Sequence, residues 1–352
     1  MRNTLILSAA ILFAAFAFPR STGADDHLQD GIYTPEVQSS VERGLEWLAA
    51  HQNENGSWSC IVGYKLNENY EHSNDRESNH VCITAIAGMA FLASGAVPGR
   101  GRYGEVLERA LSFVLSCCRE DDGYISSQGT RMYEHAFCTL FLAEIYGMSR
   151  RADVGDKLRG AVRLIIGCQN REGGWRYQPT PVDADISVTV STLQALRAAR
   201  NVGIAVPKAT IDDGVRYIRG CVGNDGSFNY QTSRGFTRST FPLTACGVVA
   251  LHSAGEYYDR AVDKGIRWLQ RFRHTLNYGS YHYMYGHYYA VQAFYVAGED
   301  TFREYYRGVT RELIARQEQD GSWRDDVGPA YATAMACVIM QVPCGYLPIF
   351  QK

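Results

Sequence analysis

Val41, Leu45 and Leu48 fall at i, i+4 and i+7 with polar residues between them. The same stripe returns as Leu107/Leu111/Val114, Leu158/Val162/Ile165, Ile211/Val215/Ile218 and Val262/Ile266/Leu269. A sixth copy, Tyr306/Thr310/Leu313, departs only at Thr310. That spacing predicts helices with one buried face. Between them lie stretches that are small or apolar on every side: 81–95, 136–147, 186–199, 241–255, 288–298 and 330–342. Helices apolar all round are buried, so the pattern alternates an outer helix with an inner one. Thr34-Pro35 caps and starts the first outer helix, Pro207 opens a later one, and Gly147, Gly255 and Gly298 end three inner helices.

A short cassette stops each outer helix. Its strict form, Gln-x-x-x-Gly-x-Trp, occurs at Gln52…Gly56…Trp58, Gln169…Gly173…Trp175 and Gln317…Gly321…Trp323. Looser copies are Cys118…Gly123-Tyr124, Val222…Gly226-Ser227-Phe228 and the stretched Gly279-Ser280-Tyr281. The aromatic positions 58, 124, 175, 228, 281 and 323 are separated by 66, 51, 53, 53 and 42 residues, a period of stacked supersecondary units. The glycine supplies a positive-φ turn. The Gln amide is suited to hold backbone groups left open at the helix end, and the ring to pack on the next repeat. Twelve helices of alternating character predict an all-α fold, an (α/α)6 toroid with six outer and six inner helices. An open solenoid would leave an apolar face bare at each end, and nothing reads as a polar capping repeat.

Residues 1–24 read as a signal peptide: Arg2 is the charged head, 5–18 the apolar run, and Thr22-Gly23-Ala24 the cleavage site before Asp25. The run is short for a bilayer span and no later stretch is long and uncharged enough, so the expectation is an exported protein, periplasmic or extracellular, with 25–352 as one toroid domain. Without Arg2 and Arg20 there remain 33 basic and 37 acidic side chains, with no basic stripe to suggest nucleic acid. Of the ten cysteines, Cys82, Cys138, Cys246 and Cys337 sit in apolar runs as space fillers. Cys117, Cys118, Cys168 and Cys221 end outer helices, where one or two disulfides stay open. The polar stretch 59–78 is either a lid or a solvated insertion.

The three strict cassettes resemble the repeat of the terpenoid cyclase and protein prenyltransferase superfamily, which includes squalene–hopene cyclases and the prenyltransferase and squalene oxidase repeat proteins. The resemblance spans nearly all of the mature chain. It implies a barrel whose central cavity holds the chemistry near the N-terminal ends of the inner helices, with an isoprenoid or another small molecule as ligand. Squalene cyclases carry two such barrels, and this chain has room for one. The Gly-Cys-Gly-Glu-Gln of thioester domains is absent.

The inner helices align on Thr84, Thr189, Thr244, His287 and Thr333. Just before that position stand the groups expected at the cavity mouth: His80, Glu134 with His135, Asp183 with Asp185, Tyr283 with Tyr285, and Tyr331. Asp183-Ala184-Asp185-Ile186 is similar to the Asp-x-Asp-Asp of class II terpene cyclases, which implies Asp185 as the acid that protonates an alkene. Ile186 stands where that motif has its last Asp. Asp183 and either His135 or His287 are then its tuners. The alternative is that Asp183 or Asp185 caps the third inner helix. His287 resembles the zinc-ligating His of prenyltransferase β subunits, but the matching Asp-x-Cys pair and His-Glu-x-x-His are absent, so neither a metal nor another cofactor is expected. The 23 tyrosines, against 14 Phe and 5 Trp, suit a hydroxylated or glycan ligand at least as well as a hydrocarbon. Three functions therefore remain: an acid-initiated terpene cyclase, a glycan-active enzyme on the same fold, and a non-catalytic toroid that binds a protein partner or an envelope component.

Overall fold

The computed structural model describes residues 31–60, 79–127, 131–232, 238–257, 259–280 and 282–350. The leader, nearly all of the 59–78 stretch and Tyr281 of the stretched cassette lie outside these residues. Among the described residues there are twelve α-helices and no strand. The outer helices are α1 (Pro35–Ala50), α3 (Gly104–Ser116), α5 (Asp153–Gly167), α7 (Lys208–Gly220), α9 (Arg260–Phe272) and α11 (Glu299–Arg316). The inner ones are α2 (Val81–Ala93), α4 (Met132–Tyr146), α6 (Ile186–Asn201), α8 (Phe241–Ser253), α10 (Tyr283–Ala297) and α12 (Pro329–Gln341). Each inner helix packs on the next and α12 returns to α2, while α11 meets α1, so the ring closes. The fold is the (α/α)6 toroid.

The stripes behave as their period requires. Leu48, Leu107, Leu111, Val114, Leu158, Ile165, Ile218, Leu269 and Leu313 are inaccessible. Thr310, the one polar member, is buried and donates its hydroxyl to the Tyr306 carbonyl at 2.8 Å. Thr34 caps α1, its Oγ1 accepting the Val37 N–H. Every one of the ten cysteines is a thiol; Cys82, Cys138, Cys246 and Cys337 are buried fillers, and none of the helix-ending cysteines is bridged.

The cassette divides its labour differently from the expectation. The open carbonyl in the last turn of the outer helix goes to the indole: Trp58 Nε1 donates to Leu48, Trp175 Nε1 to Ile165 and Trp323 Nε1 to Leu313, at 2.7–2.9 Å. The Gln amide instead reaches forward. Gln52 Nε2 donates to the carbonyls of Gly56 and Val106, Gln169 Nε2 to Gly173 and Thr210, and Gln317 Nε2 to Gly321 and Ser40. Val106, Thr210 and Ser40 belong to the next outer helix, so each Gln staples two repeats and the last staples the sixth repeat to the first. The glycine is required twice over. Gly173 has φ +99°, and a Cβ there would stand 2.1 Å from the Asp213 carbonyl oxygen of α7.

The aligned threonines serve the same joint. Thr84, Thr189, Thr244 and Thr333 accept the backbone N–H of Trp58, Trp175, Phe228 and Trp323 at 3.0–3.1 Å. Removing such an acceptor strands a buried N–H, which costs about 1–3 kcal/mol. Thr189→Val is expected to lose that much in urea unfolding, while Thr189→Ser stays near wild type; equal losses in the two variants would refute the acceptor role.

The far end of the ring is closed by the C-terminal tail, where Leu347, Ile349 and Phe350 are buried. Phe350 packs edge-on against Tyr288, and the Ile349 N–H donates to Glu144 Oε2 at 3.4 Å. Burial pushes the Glu144 carboxyl up to about 8 from its ordinary 4.5, against the pull of that N–H and of Arg197. A carboxyl raised in the fold favours the neutral form there. Its stabilisation is complete below pH 4.5 and is lost as pH rises through 8. Glu144→Gln is therefore expected to raise stability by roughly 1–3 kcal/mol at pH 8 and to change it little at pH 4.5. Thermal melts across that range check it, and a gain independent of pH would contradict the titration.

Candidate functional site

The inner helices all begin at the cassette end, and two of them begin earlier than the apolar pattern indicates. Helix α4 starts at Met132 rather than 136 and α10 at Tyr283 rather than 288. Glu134, His135, Tyr283, Tyr285 and His287 therefore sit within first and second turns instead of in loops at the mouth, and their facing is set by helical rotation.

On α10 the i, i+4 pair Tyr283 and His287 faces the outer wall. His287 Nδ1 is 2.6 Å from the Tyr305 hydroxyl of α11, and Tyr283 stands edge-on to the imidazole at 4.4 Å. Burial alone lowers His287 to about 3, so it is neutral throughout the physiological range. Its neighbours are phenols, and no set of three His, Cys, Asp or Glu side chains converges among the described residues. The residues present do not fit a zinc site. His135 also faces outward: its Nδ1 accepts the Ile125 N–H at 3.0 Å, and Nε2 lies 3.2 Å from the Ala161 carbonyl. It takes in repeat two the place that threonine takes in four others. Desolvation depresses it to about 4, and both ring nitrogens are committed to backbone.

Two of the acids, Asp185 and Glu134, close helix ends. Asp185 is the N-cap of α6, its Oδ1 accepting the Val188 N–H at 3.0 Å and the Ser187 hydroxyl at 2.6 Å. Its Oδ2 lies 3.7 Å from Arg176 Nε. Burial raises the Asp185 carboxyl, opposed by Ser187, Val188 and Arg176. Asp183 is exposed and pairs with the Arg176 guanidinium on the outside of the turn. Glu134 closes a capping box on α4, its Oε2 accepting the Arg131 N–H at 2.8 Å, and burial brings it to about 7. His80 is buried at the N-cap position of α2.

Of the predicted residues, Tyr285 and Tyr331 line the centre. Tyr331 is half-buried on α12, its phenol held above the usual range by burial and by nearby Asp325 and Cys82. Tyr285 meets residues that the sequence pattern did not single out. Its ring is 6.0 Å from Tyr133 on α4 and 4.8 Å from Tyr289. One turn deeper, Phe137 of α4 lies 6.0 Å from Tyr288 of α10, and Gln194 of α6 donates to Gln292 Oε1 at 2.8 Å. Helices α4 and α10 stand opposite each other in the ring, so the two aromatic contacts cross its centre. The signal was present as i, i+4 pairs, Tyr133/Phe137 and Tyr285/Tyr289, once the true helix starts are used. The hydroxyls of Tyr133, Tyr285, Tyr288 and Tyr289 are buried without a hydrogen-bond partner.

The family profile described as the prenyltransferase alpha-alpha toroid domain matches residues 26–203 and 185–281. No curated protein sequence matches the chain. Among solved structures, the cellobiose 2-epimerase of Bacillus thermoamylovorans B4167 is similar over 87% of this chain and 98% of its own, at 14% identity and a TM-score of 0.63. That of Spirochaeta thermophila DSM 6192 is similar over 90% and 97%, at 13% identity and a TM-score of 0.65. The type II terpene cyclase MstE from Scytonema, also solved with its substrate geranylgeranyl dihydroxybenzoate, is similar over 89% and 98%, at 14% identity and a TM-score of 0.58. Identities this low establish a shared fold, which epimerases and cyclases use for different chemistry.

Proposed function

The chain belongs to the prenyltransferase alpha-alpha toroid family, and from that premise we propose that it is an exported toroid that binds a protein partner or an envelope component and carries out no cyclisation. One observation carries the reading: the opposed helices α4 and α10 meet through Tyr133–Tyr285 and Phe137–Tyr288, so aromatic side chains cross the centre where an isoprenoid would lie. The state of Asp185 supports it. Protonating an alkene needs a strongly acidic carboxyl free to face the substrate, whereas burial raises the Asp185 carboxyl and its Oδ1 is held by the Val188 N–H and the Ser187 hydroxyl. A glycosidase needs two carboxyls on facing walls of an open cleft, and here Glu134 and Asp185 each close their own helix. The aromatic walls favour isoprenoid binding as the second reading.

Mature protein incubated with squalene and with geranylgeranyl diphosphate, then extracted, is expected to return both unchanged. Tyr285→Ala and Tyr288→Ala, which empty the cross-ring packing, are expected to cost roughly 3 kcal/mol each in unfolding free energy. Cyclised product from wild type that disappears in Asp185→Asn would sink the proposal. Export has its own test: the chain recovered from the periplasm or medium should begin at Asp25, and recovery only from the cytoplasm with Met1 still attached would count against it.

A further inference from the structure

A second concave site lies where the first and last repeats meet. A cleft of about 810 Å³ is walled by α1 through Gln38 and Glu42, by the α2–α3 turn through Arg100 and Tyr103, and by the C-terminal tail through Tyr346. That volume is within the range of small-ligand clefts, roughly 300–1,000 Å³. Tyr346 is 58% exposed, one of few large apolar side chains so placed among the described residues. Its ring lies against Gly95, where a Cβ would stand 3.4 Å from the ring carbons Cε1 and Cζ. Gly95 has φ +82°, so the turn favours glycine there and leaves room for the ring. The Tyr103 ring is fixed against Phe91 at 5.0 Å and under the Arg102 guanidinium at 5.2 Å, and its hydroxyl is buried with no hydrogen-bond partner. Arg102 itself pairs with Glu46, whereas the exposed Arg100 guanidinium makes no ion pair among the described residues. Gln38 Nε2 donates to Glu42 Oε1 at 3.2 Å on the facing wall.

We infer that this cleft is a saccharide-binding site. The lining mixes an exposed aromatic face with planar polar groups of both signs and an unsatisfied phenol. An acyl chain would set an apolar ligand against the Arg100 guanidinium and the Glu42 carboxylate, and a simple anion would be opposed by Glu42. A pyranose suits all of these at once. Its C–H face lies on the electron-rich face of Tyr346. Its neighbouring hydroxyls take the fork of the Arg100 guanidinium and the Glu42 carboxylate, which engage paired oxygens and hydroxyls side by side. None of these residues belongs to the centre of the ring, so the site does not depend on what the centre does.

Isothermal titration of the mature protein with cellohexaose, mannohexaose and chitohexaose tests the site. At least one is expected to bind with sub-millimolar Kd. Tyr346→Ala should weaken that binding tenfold or more and Arg100→Ala several-fold, with melting temperatures near wild type because both side chains are exposed. Tyr285→Phe, in the centre, should leave it unchanged. No binding of any of the three, or binding that ignores Tyr346→Ala and Arg100→Ala, overturns the proposal. So does a loss of self-association in those variants without a change in glycan affinity, which would make the cleft a contact between two copies of the chain. The extraction test for cyclisation is separate, and either result can fail without the other.

Discussion

The architecture depends on one joint that recurs at five of the six turns: the turn after the outer helix is pressed onto the backbone of the next outer helix. Glycine is what lets the two chains come that close. A Cβ at Gly56, Gly123, Gly173, Gly226 or Gly321 would stand 2.1–2.8 Å from backbone atoms of the following outer helix. In the strict copies the Gln amide then bonds across the same gap, so close approach and hydrogen bonding reinforce each other. Because Gly321 and Gln317 make this joint with α1, the chain meets itself and leaves no terminal repeat with an open apolar face.

The same joint explains the polar residues that look like chemistry in an apolar sequence. A turn that delivers a tryptophan into the core also buries that residue's N–H, which must find an acceptor. Thr84, Thr189, Thr244 and Thr333 provide it, and His135 does so with Nδ1 for the adjacent Ile125. The inner helices must likewise be capped in a buried setting. Asp185 and Glu134 perform that task, the one as an N-cap and the other through a capping box. Acids and histidines at a ring entrance are thus required by the fold itself, before any reaction is considered.

The fold was legible because it is written in local periods: a stripe every 3.6 residues, a glycine turn after each stripe, and the whole unit repeated six times. The centre was less legible for two physical reasons. Aromatic first turns do not look like the small-residue runs that follow them, so α4 and α10 appear to start four and five residues late, and His287 seems to open a helix that Tyr283 opens. More basically, the contacts that decide the centre join residues more than 150 positions apart, such as Tyr133 and Tyr285. No local pattern encodes which opposite helices carry side chains long enough to touch. Tyr285 and Tyr331 were found because they are aromatic and early in their helices; Tyr133 has the same qualities but was hidden in an assumed loop.

A ring closed by recurring joints has one place where the chain does not run on from one repeat into the next, the seam between its last and first repeats. Elsewhere each outer helix follows its predecessor in sequence, and the turn geometry is constrained by the repeat. At the seam, α1 meets α11 and faces the tail that seals the far end across the cleft. The tail is bound by packing of Leu347, Ile349 and Phe350, while Tyr346 beside them is left outside. Surface there is free of the packing demands that consume the polar groups of the centre. The exposed Arg100 guanidinium has no ion pair among the described residues, in contrast to His135, whose two ring nitrogens both meet backbone groups. Polar groups that the fold does not use are the ones able to recognise something else, which is why the seam, rather than the hole, is the better place to look for a ligand.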